Sequence, residues 1–126
     1  MAKTVLIVED NQHLREILAS ILRYSGYDTL EASTGKEAIR KTVDAKPQIV
    51  LLDLDLPDIA GIEVARKIKA TAGVSHIPIV ACSASSGWEW REEALRAGMS
   101  EYLQKPIQIA VMKQIIDKFI LTGDNS

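Results

Sequence analysis

The chain has a single cysteine, Cys82, among 126 residues, so no intrachain disulfide can form and a reducing compartment fits. No run approaches 18 consecutive apolar residues, and no apolar segment with a cleavage site follows Met1-Ala2-Lys3. Neither a membrane span nor a secretory leader is therefore expected. Charge of one sign is missing too. Against 17 Asp and Glu stand 15 Lys and Arg, a net of −2 with no global field to draw nucleic acid or an anionic membrane. There is no linker, repeat or low-complexity stretch. These absences predict a cytoplasmic protein with no direct nucleic-acid contact and no membrane insertion.

What is there is ordinary in bulk: 47% hydrophobic and 25% charged residues, as in soluble globular proteins. The length suits one domain, expected over 1–126 with a core of about 3–121 and a polar tail at 122–126. Folding a chain of this size buries about two-thirds of the unfolded surface, enough for a core without staples.

The informative stretch surrounds Asp53. Ile49-Val50-Leu51-Leu52 is an unbroken apolar run, which reads as a strand buried on both faces and hence a parallel sheet. Pro57 and Gly61 then turn the chain. Asp53 is so expected at the carboxyl end of a central strand, where open α/β sheets place their ligands.

The remaining elements alternate around it. Thr4–Val8 is a β-branched strand ending in Glu9-Asp10, and Asn11 can cap a helix carrying Leu14, Ile17, Leu18, Ile21 and Leu22, closed by Gly26. Tyr27–Ala32 is a short second strand. Ser33 or Thr34 can cap a helix with Ala38, Ile39 and Thr42 on one face, ending before Pro47. After the Asp53 strand, a helix is expected over about Gly61–Ala70 with Ile62, Ala65 and Ile68 inward. Ile77–Cys82 is the fourth strand, ending in Ser83. Glu89–Ala97 is the fourth helix, ended by Gly98. Glu101–Leu103 is the fifth strand, leading to Lys105-Pro106, and the last helix carries Val111, Met112, Ile115, Ile116, Phe119 and Ile120. Five strands alternating with five helices make an α/β, doubly wound parallel sheet.

In such a sheet the carboxyl ends share one edge, so Glu9, Asp10, Asp53, Ser83 and Lys105 converge. Three packed carboxylates repel unless protons or a hard cation sit among them. Carboxylates with a backbone carbonyl and waters suit Mg²⁺. A carboxylate can also act as nucleophile and form an aspartyl phosphate, provided that a cation, an ammonium and a hydroxyl neutralise the phosphoryl oxygens. Lys105 and Ser83 are of the right types.

With these residues in place, the sequence resembles the receiver domain of two-component response regulators over essentially all of residues 3–121. The resemblance rests on Glu9-Asp10 after strand 1, Asp53 with Leu56-Pro57 and Gly61, Ser83-Ala84 after strand 4 and Lys105-Pro106 after strand 5. The spacings are 30 residues from Asp53 to Ser83 and 22 from Ser83 to Lys105. Single-domain chemotaxis and cell-cycle regulators are the most similar in organisation.

The resemblance implies a flavodoxin-like fold with strand order 2-1-3-4-5, and a phosphoacceptor switch rather than an enzyme in its own right. Asp53 would accept a phosphoryl group from a phosphohistidine of a sensor histidine kinase or phosphotransfer protein. Asp10 and Asp53 would ligate Mg²⁺, Glu9 would act through water, and Asp55 would contribute its backbone carbonyl. Lys105 would pair with the phosphoryl group, and the Lys105-Pro106 bond would be cis. Ser83 would swing toward the phosphoryl oxygens, and Tyr102 would rotate inward with it. The surface of helix 4, strand 5 and helix 5 would thereby change for a downstream target protein. Asp55 and Ser85, two residues past Asp53 and Ser83, would influence the rate of phosphoryl hydrolysis. Met1 and the polar tail favour a stand-alone receiver over one excised from a hybrid kinase.

Other readings compete. Asp53-Leu54-Asp55-Leu56-Pro57 is close to the D-x-D-x-T signature of haloacid-dehalogenase-type phosphatases, but Pro57 replaces the Thr and the motif follows the third strand. An FMN carrier needs a hydroxyl- and Gly-rich loop where Glu9-Asp10 would repel phosphate. An interaction-only pseudo-receiver would not need the intact acceptor set. Trp88 and Trp90, two apart, cannot share a helix face, so at least one is expected to be exposed, as a partner anchor or as part of a lid on the strand 4 loop. Cys82 alternates with Ser83 and should point into the core. His13 and His76 lack partners at ligand spacing.

Overall fold

A computed structural model describes residues 3–85 and 88–124. Its elements are β1 (Thr4–Val8), α1 (Gln12–Tyr24), β2 (Asp28–Ala32), α2 (Gly35–Ala45), β3 (Ile49–Asp53), α3 (Gly61–Lys69), β4 (Ile79–Ser83), α4 (Trp88–Arg96), β5 (Glu101–Gln104) and α5 (Ile109–Asp124). The five strands are parallel in the order β2-β1-β3-β4-β5, the flavodoxin-like arrangement expected. The central β1, β3 and β4 carry the apolar runs, and every residue of β3 and β4 is buried.

Strand alternation divides the core in two. Leu6, Val8, Val50, Leu52, Ile79 and Ala81 face α2, α3 and α4 and pack with Ala38, Val64, Ile68 and Ala94. Val5, Ile7, Ile49, Leu51, Val80 and Cys82 face α1 and α5 and pack with Leu18, Leu22, Met112 and Ile116. Cys82 is thus core, and burial pushes its thiol pKa far up.

The helix ends follow side-chain chemistry. Asn11 caps α1 by accepting the Leu14 amide, and Thr34 caps α2 by accepting the Glu37 amide, while Glu37 takes the Ser33 amide in return. Gly26 and Gly98 take positive φ after α1 and α4, the left-handed conformation that closes a helix. Gly61 has another role. A Cβ there would lie 2.5 Å from Leu54 Cα and 2.8 Å from the Asp53 carbonyl oxygen, so α3 can start against the Asp53 turn only with glycine.

Some sequence expectations shift. Ile77 and Pro78 precede β4: Pro78 has no N–H to give to the ladder, and its carbonyl accepts the Val50 amide at 3.0 Å just before the strand begins. The second strand starts at Asp28 and α4 at Trp88, and α5 runs from Ile109 to Asp124, into the stretch expected as a polar tail. Ile17 and Val111, expected on inward faces, are 52% and 37% exposed. Each flanks a narrower buried stripe, Leu18-Ala19-Leu22 in α1 and Met112-Ile116-Ile120 in α5. Trp90 is 46% exposed, as one tryptophan had to be. The side chain of Trp88, the side chains of residues 122–124, and residues 125–126 of the expected polar tail lie outside the described residues. No helix among the described residues is long and apolar enough to cross a membrane.

Candidate functional site

The ladder delivers each side chain to the carboxyl edge. The Glu9 amide bonds the Ala32 carbonyl at 3.0 Å, the Leu54 amide the Cys82 carbonyl at 2.9 Å, and the Lys105 amide the Ser83 carbonyl at 2.8 Å. These bonds extend the pairing one residue past β1, β3 and β5. Since Val8 pairs with Leu52, Glu9 comes to lie beside Asp53.

Alternation sorts these residues by face. Glu9, Asp53 and Lys105 continue the parity of Ile7, Leu51 and Leu103, on the α1/α5 side. Ser83 and Tyr102 continue the parity of Ala81, on the α3/α4 side, where Tyr102 packs against the core. The charged group of Glu9, Asp53 and Lys105 and the hydroxyl pair of Ser83 and Tyr102 thus belong to opposite sides of one sheet, meeting only at its edge.

At that edge the charges are close. Oxygens of Glu9, Asp10 and Asp53 lie within 4.8 Å of one another; Glu9 and Asp53 are buried, and Asp10 is exposed. The Lys105 ammonium donates to Glu9 Oε1 at 2.7 Å and lies 3.4 Å from Asp53 Oδ2. Glu9 Oε2 accepts the Asn11 amide at 3.0 Å, and Asp53 Oδ1 accepts the Asp55 amide at 2.9 Å. Among the described residues no buried side-chain N or O atom lacks a partner.

The two buried carboxyls titrate differently. Burial pushes Asp53 up to about 6, helped by the Glu9 charge and opposed by the Asp55 amide and Lys105. Burial also acts upward on Glu9, but its bonds from Lys105 and the Asn11 amide outweigh it, and Glu9 is held below the usual carboxylate range. Burial disfavours the Lys105 ammonium, but its Glu9 bond and the charges of Asp53 and Glu9 overcome that and raise its pKa. Of these two buried carboxyls, Asp53 is the one that takes up a proton first. All three acids offer hard oxygen ligands from one small region, a donor set that fits a divalent cation such as Mg²⁺.

The sequence places Ser83 near this site, and the structure gives its bonds. The hydroxyl donates to Asp55 Oδ2 at 3.1 Å and accepts the Ser85 amide at 3.1 Å. The Tyr102 hydroxyl donates to the Ser85 carbonyl at 2.6 Å, so Tyr102 is already turned inward. The Lys105-Pro106 peptide is cis, as the resemblance implied.

Three contacts escape sequence reasoning. Asp55 engages Ser83 with its side chain, not only through its main chain. Arg15 donates to the Glu9 carbonyl at 2.9 Å and to Glu31 at 3.1 Å, fixing the turn after β1. Asp58 reaches across to α2 and accepts the Gly35 and Lys36 amides at 2.7 and 3.0 Å. These bonds hold Asp58 below the usual carboxylate range. A Pro57-Asp58 pair signals a turn, but nothing in it announces a partner 22 or 23 residues away.

The model of the response regulator receiver domain matches residues 5–117. The polar-differentiation response regulator DivK of Brucella abortus (strain 2308) is 30% identical over 120 residues, covering 95% of this chain and 98% of its own. The receiver domain of a sensor histidine kinase from Pseudomonas aeruginosa PAO1 superposes with a TM-score of 0.87 at 31% identity, over 95% of this chain and 98% of that one. That receiver has a magnesium ion coordinated in its active-site cleft. The chemotaxis response regulator CheY4 of Vibrio cholerae superposes at a TM-score of 0.89, over 94% of this chain and 99% of that one, and at 22% identity shows the fold alone.

Proposed function

Because this chain belongs to the response regulator receiver family of two-component signalling, we propose that Asp53 is the phosphoacceptor of its switch. The supporting observation is the placement of Asp53: buried at the end of β3, 3.4 Å from the Lys105 ammonium, with the oxygens of Glu9 and Asp10 within 4.8 Å. The donor is a phosphohistidine on a sensor histidine kinase or a phosphotransfer protein. A carboxylate oxygen of Asp53 bonds to phosphorus as the P–N bond breaks, and the imidazole leaves with that electron pair.

Asp10 and Asp53 would hold Mg²⁺ directly, Glu9 through water and Asp55 by its carbonyl. Bound there, the cation neutralises the charge of the phosphoryl oxygens. Asp53 must be ionised to react, and a neighbouring cation favours that form. Lys105, now shared between Glu9 and Asp53, turns its ammonium to the phosphoryl group. Ser83 supplies the hydroxyl donor. The chain's own chemistry is limited to its phosphorylation and a slow hydrolysis of the product.

Output goes through protein contact. Tyr102, Gln104, Gln108 and Val111 border a surface hollow of about 400 Å³ beside Lys105 and Pro106. Tyr102 reports on Ser83 through the Ser85 segment, so a change at Ser83 reaches the α4–β5–α5 surface, where Trp90 is exposed. Residues 1–126 are read as one receiver domain working in the cytoplasm.

Intact mass after incubation with Mg²⁺ and acetyl phosphate tests this, with Asp53→Asn alongside. One phosphoryl adduct on the wild type, lost in the variant or without Mg²⁺, is expected. Phosphate release with no adduct would favour the phosphatase reading, and neither adduct nor release would favour a pseudo-receiver.

A further inference from the structure

Ser83 cannot serve a phosphoryl group on Asp53 as it stands. A hydroxyl has one proton, and that of Ser83 is given to Asp55 Oδ2 at 3.1 Å. Its oxygen meanwhile accepts the Ser85 amide at 3.1 Å. Asp55 is bound to both ends of the switch, since its amide donates to Asp53 Oδ1 at 2.9 Å while its carboxylate holds Ser83. The bonds run on from Ser83 to the Ser85 amide, and from the Ser85 carbonyl to the Tyr102 hydroxyl at 2.6 Å. One continuous path therefore joins the acceptor on β3 to the output strand β5, and Asp55 stands at its head.

We propose that Asp55 is a positioning residue that holds the Ser83 hydroxyl in the unphosphorylated protein and sets the threshold for switching; this rests on the reading of Asp53 as phosphoacceptor. The carboxylate and the incoming phosphoryl oxygens compete for a single proton. A phosphoryl group brings roughly two negative charges and three strong acceptor oxygens. On Asp53 it both outbids Asp55 for the hydroxyl and repels the Asp55 carboxylate. Until then only the fraction of molecules with Ser83 released can stabilise the transferring group, and the rate is scaled down by that fraction.

The test is the rate of phosphoryl adduct formation from acetyl phosphate at saturating Mg²⁺, followed by intact mass. Wild type, Asp55→Ala, Ser83→Ala and the double variant are compared. Asp55→Ala should react about fivefold faster than wild type, the fold-change that a hydrogen bond of ordinary net strength converts to. Asp55→Asn, which keeps an acceptor oxygen without the charge, should fall between them. In the Ser83→Ala background the Asp55→Ala change should leave the rate unaltered, because the bond it removes is already gone. Equal acceleration in both backgrounds would mean that Asp55 merely repels the anionic donor, and would overturn the inference. So would an Asp55→Ala rate at or below that of wild type. A wild-type protein that forms no adduct would bring down the acceptor reading and this inference together; an adduct with equal rates would bring down this inference alone.

Discussion

Lys105 donates to Glu9 at 2.7 Å across 96 residues of sequence, a shorter contact than its 3.4 Å approach to Asp53. The ammonium thus goes mainly to the acid that keeps its charge, and Asp53 is left with the raised pKa. The proposed phosphoacceptor is thus the carboxyl that most needs a further cation.

Mg²⁺ affinity should therefore depend on pH. With Asp53 titrating at about 6, the cation must displace a proton below that pH and none above it. The association constant should fall by about tenfold per unit below pH 6 and level off above it. Isothermal titration calorimetry from pH 5 to 8 measures this, and a flat profile would show that Asp53 is ionised throughout.

Removing the charge of Asp53 should stabilise the protein when Mg²⁺ is absent. A carboxyl whose folded pKa lies at about 6, above the ordinary 3.8, favours folding most below 3.8 and loses that contribution as the pH rises through 6. Asp53→Asn should thus gain on the order of 1–3 kcal/mol at pH 7.5, with the gain fading toward pH 4. Urea denaturation gives the number. Added Mg²⁺ should narrow the gap, because it binds and stabilises the wild type preferentially.

Lys105→Met should do the reverse. It leaves the buried Glu9 charge without its ion-pair partner, at a cost of about 1–3 kcal/mol given that Lys105 is partly exposed. Phosphoryl uptake should drop by at least about tenfold, since a donor to the transferring group is lost. Thermal melts with and without Mg²⁺ separate the two effects: part of the stability should return with the cation, and the uptake rate should not.

Gly61→Ala tests the Asp53 turn itself. The added Cβ would sit 2.5 Å from Leu54 Cα, so backbone has to move. A loss of about 1–3 kcal/mol is expected, as for other overpacked sites. Uptake should slow with it, because the displaced turn carries Asp53. An unchanged denaturation midpoint would mean that the turn yields freely.

Much of this was legible in the sequence, for identifiable reasons. The unbroken apolar runs of β1, β3 and β4 mark a parallel sheet, and in such a sheet the last polar residue of each strand has only one edge to occupy. Glu9, Asp10, Asp53, Ser83 and Lys105 could be gathered on that logic alone. Parity also placed Cys82 opposite Ser83. What the sequence withheld concerns loops, where no period applies. Asp55 and Asp58 find their partners through the path of the chain after β3, and Arg15, in the first turns of α1, reaches back to the Glu9 carbonyl. Ile17 and Val111 misled because apolar spacing defines a face more broadly than packing uses it.

The bond from Asp58 to the start of α2 has a mechanical consequence. The segment after Asp53 is moored on one flank: Asp58 grips two amides of α2, and Arg15 and Asn11 secure the turn after β1. On the other flank stand Ser83 and Tyr102, linked to their neighbours by hydroxyl bonds that can be exchanged by rotating a torsion. A disturbance at the acceptor meets an abutment on the side of α1 and α2 and a hinge on the side of α4 and β5. Its direction of travel is thereby set, and the α4 and β5 side can be re-engineered while Asp53 keeps its footing.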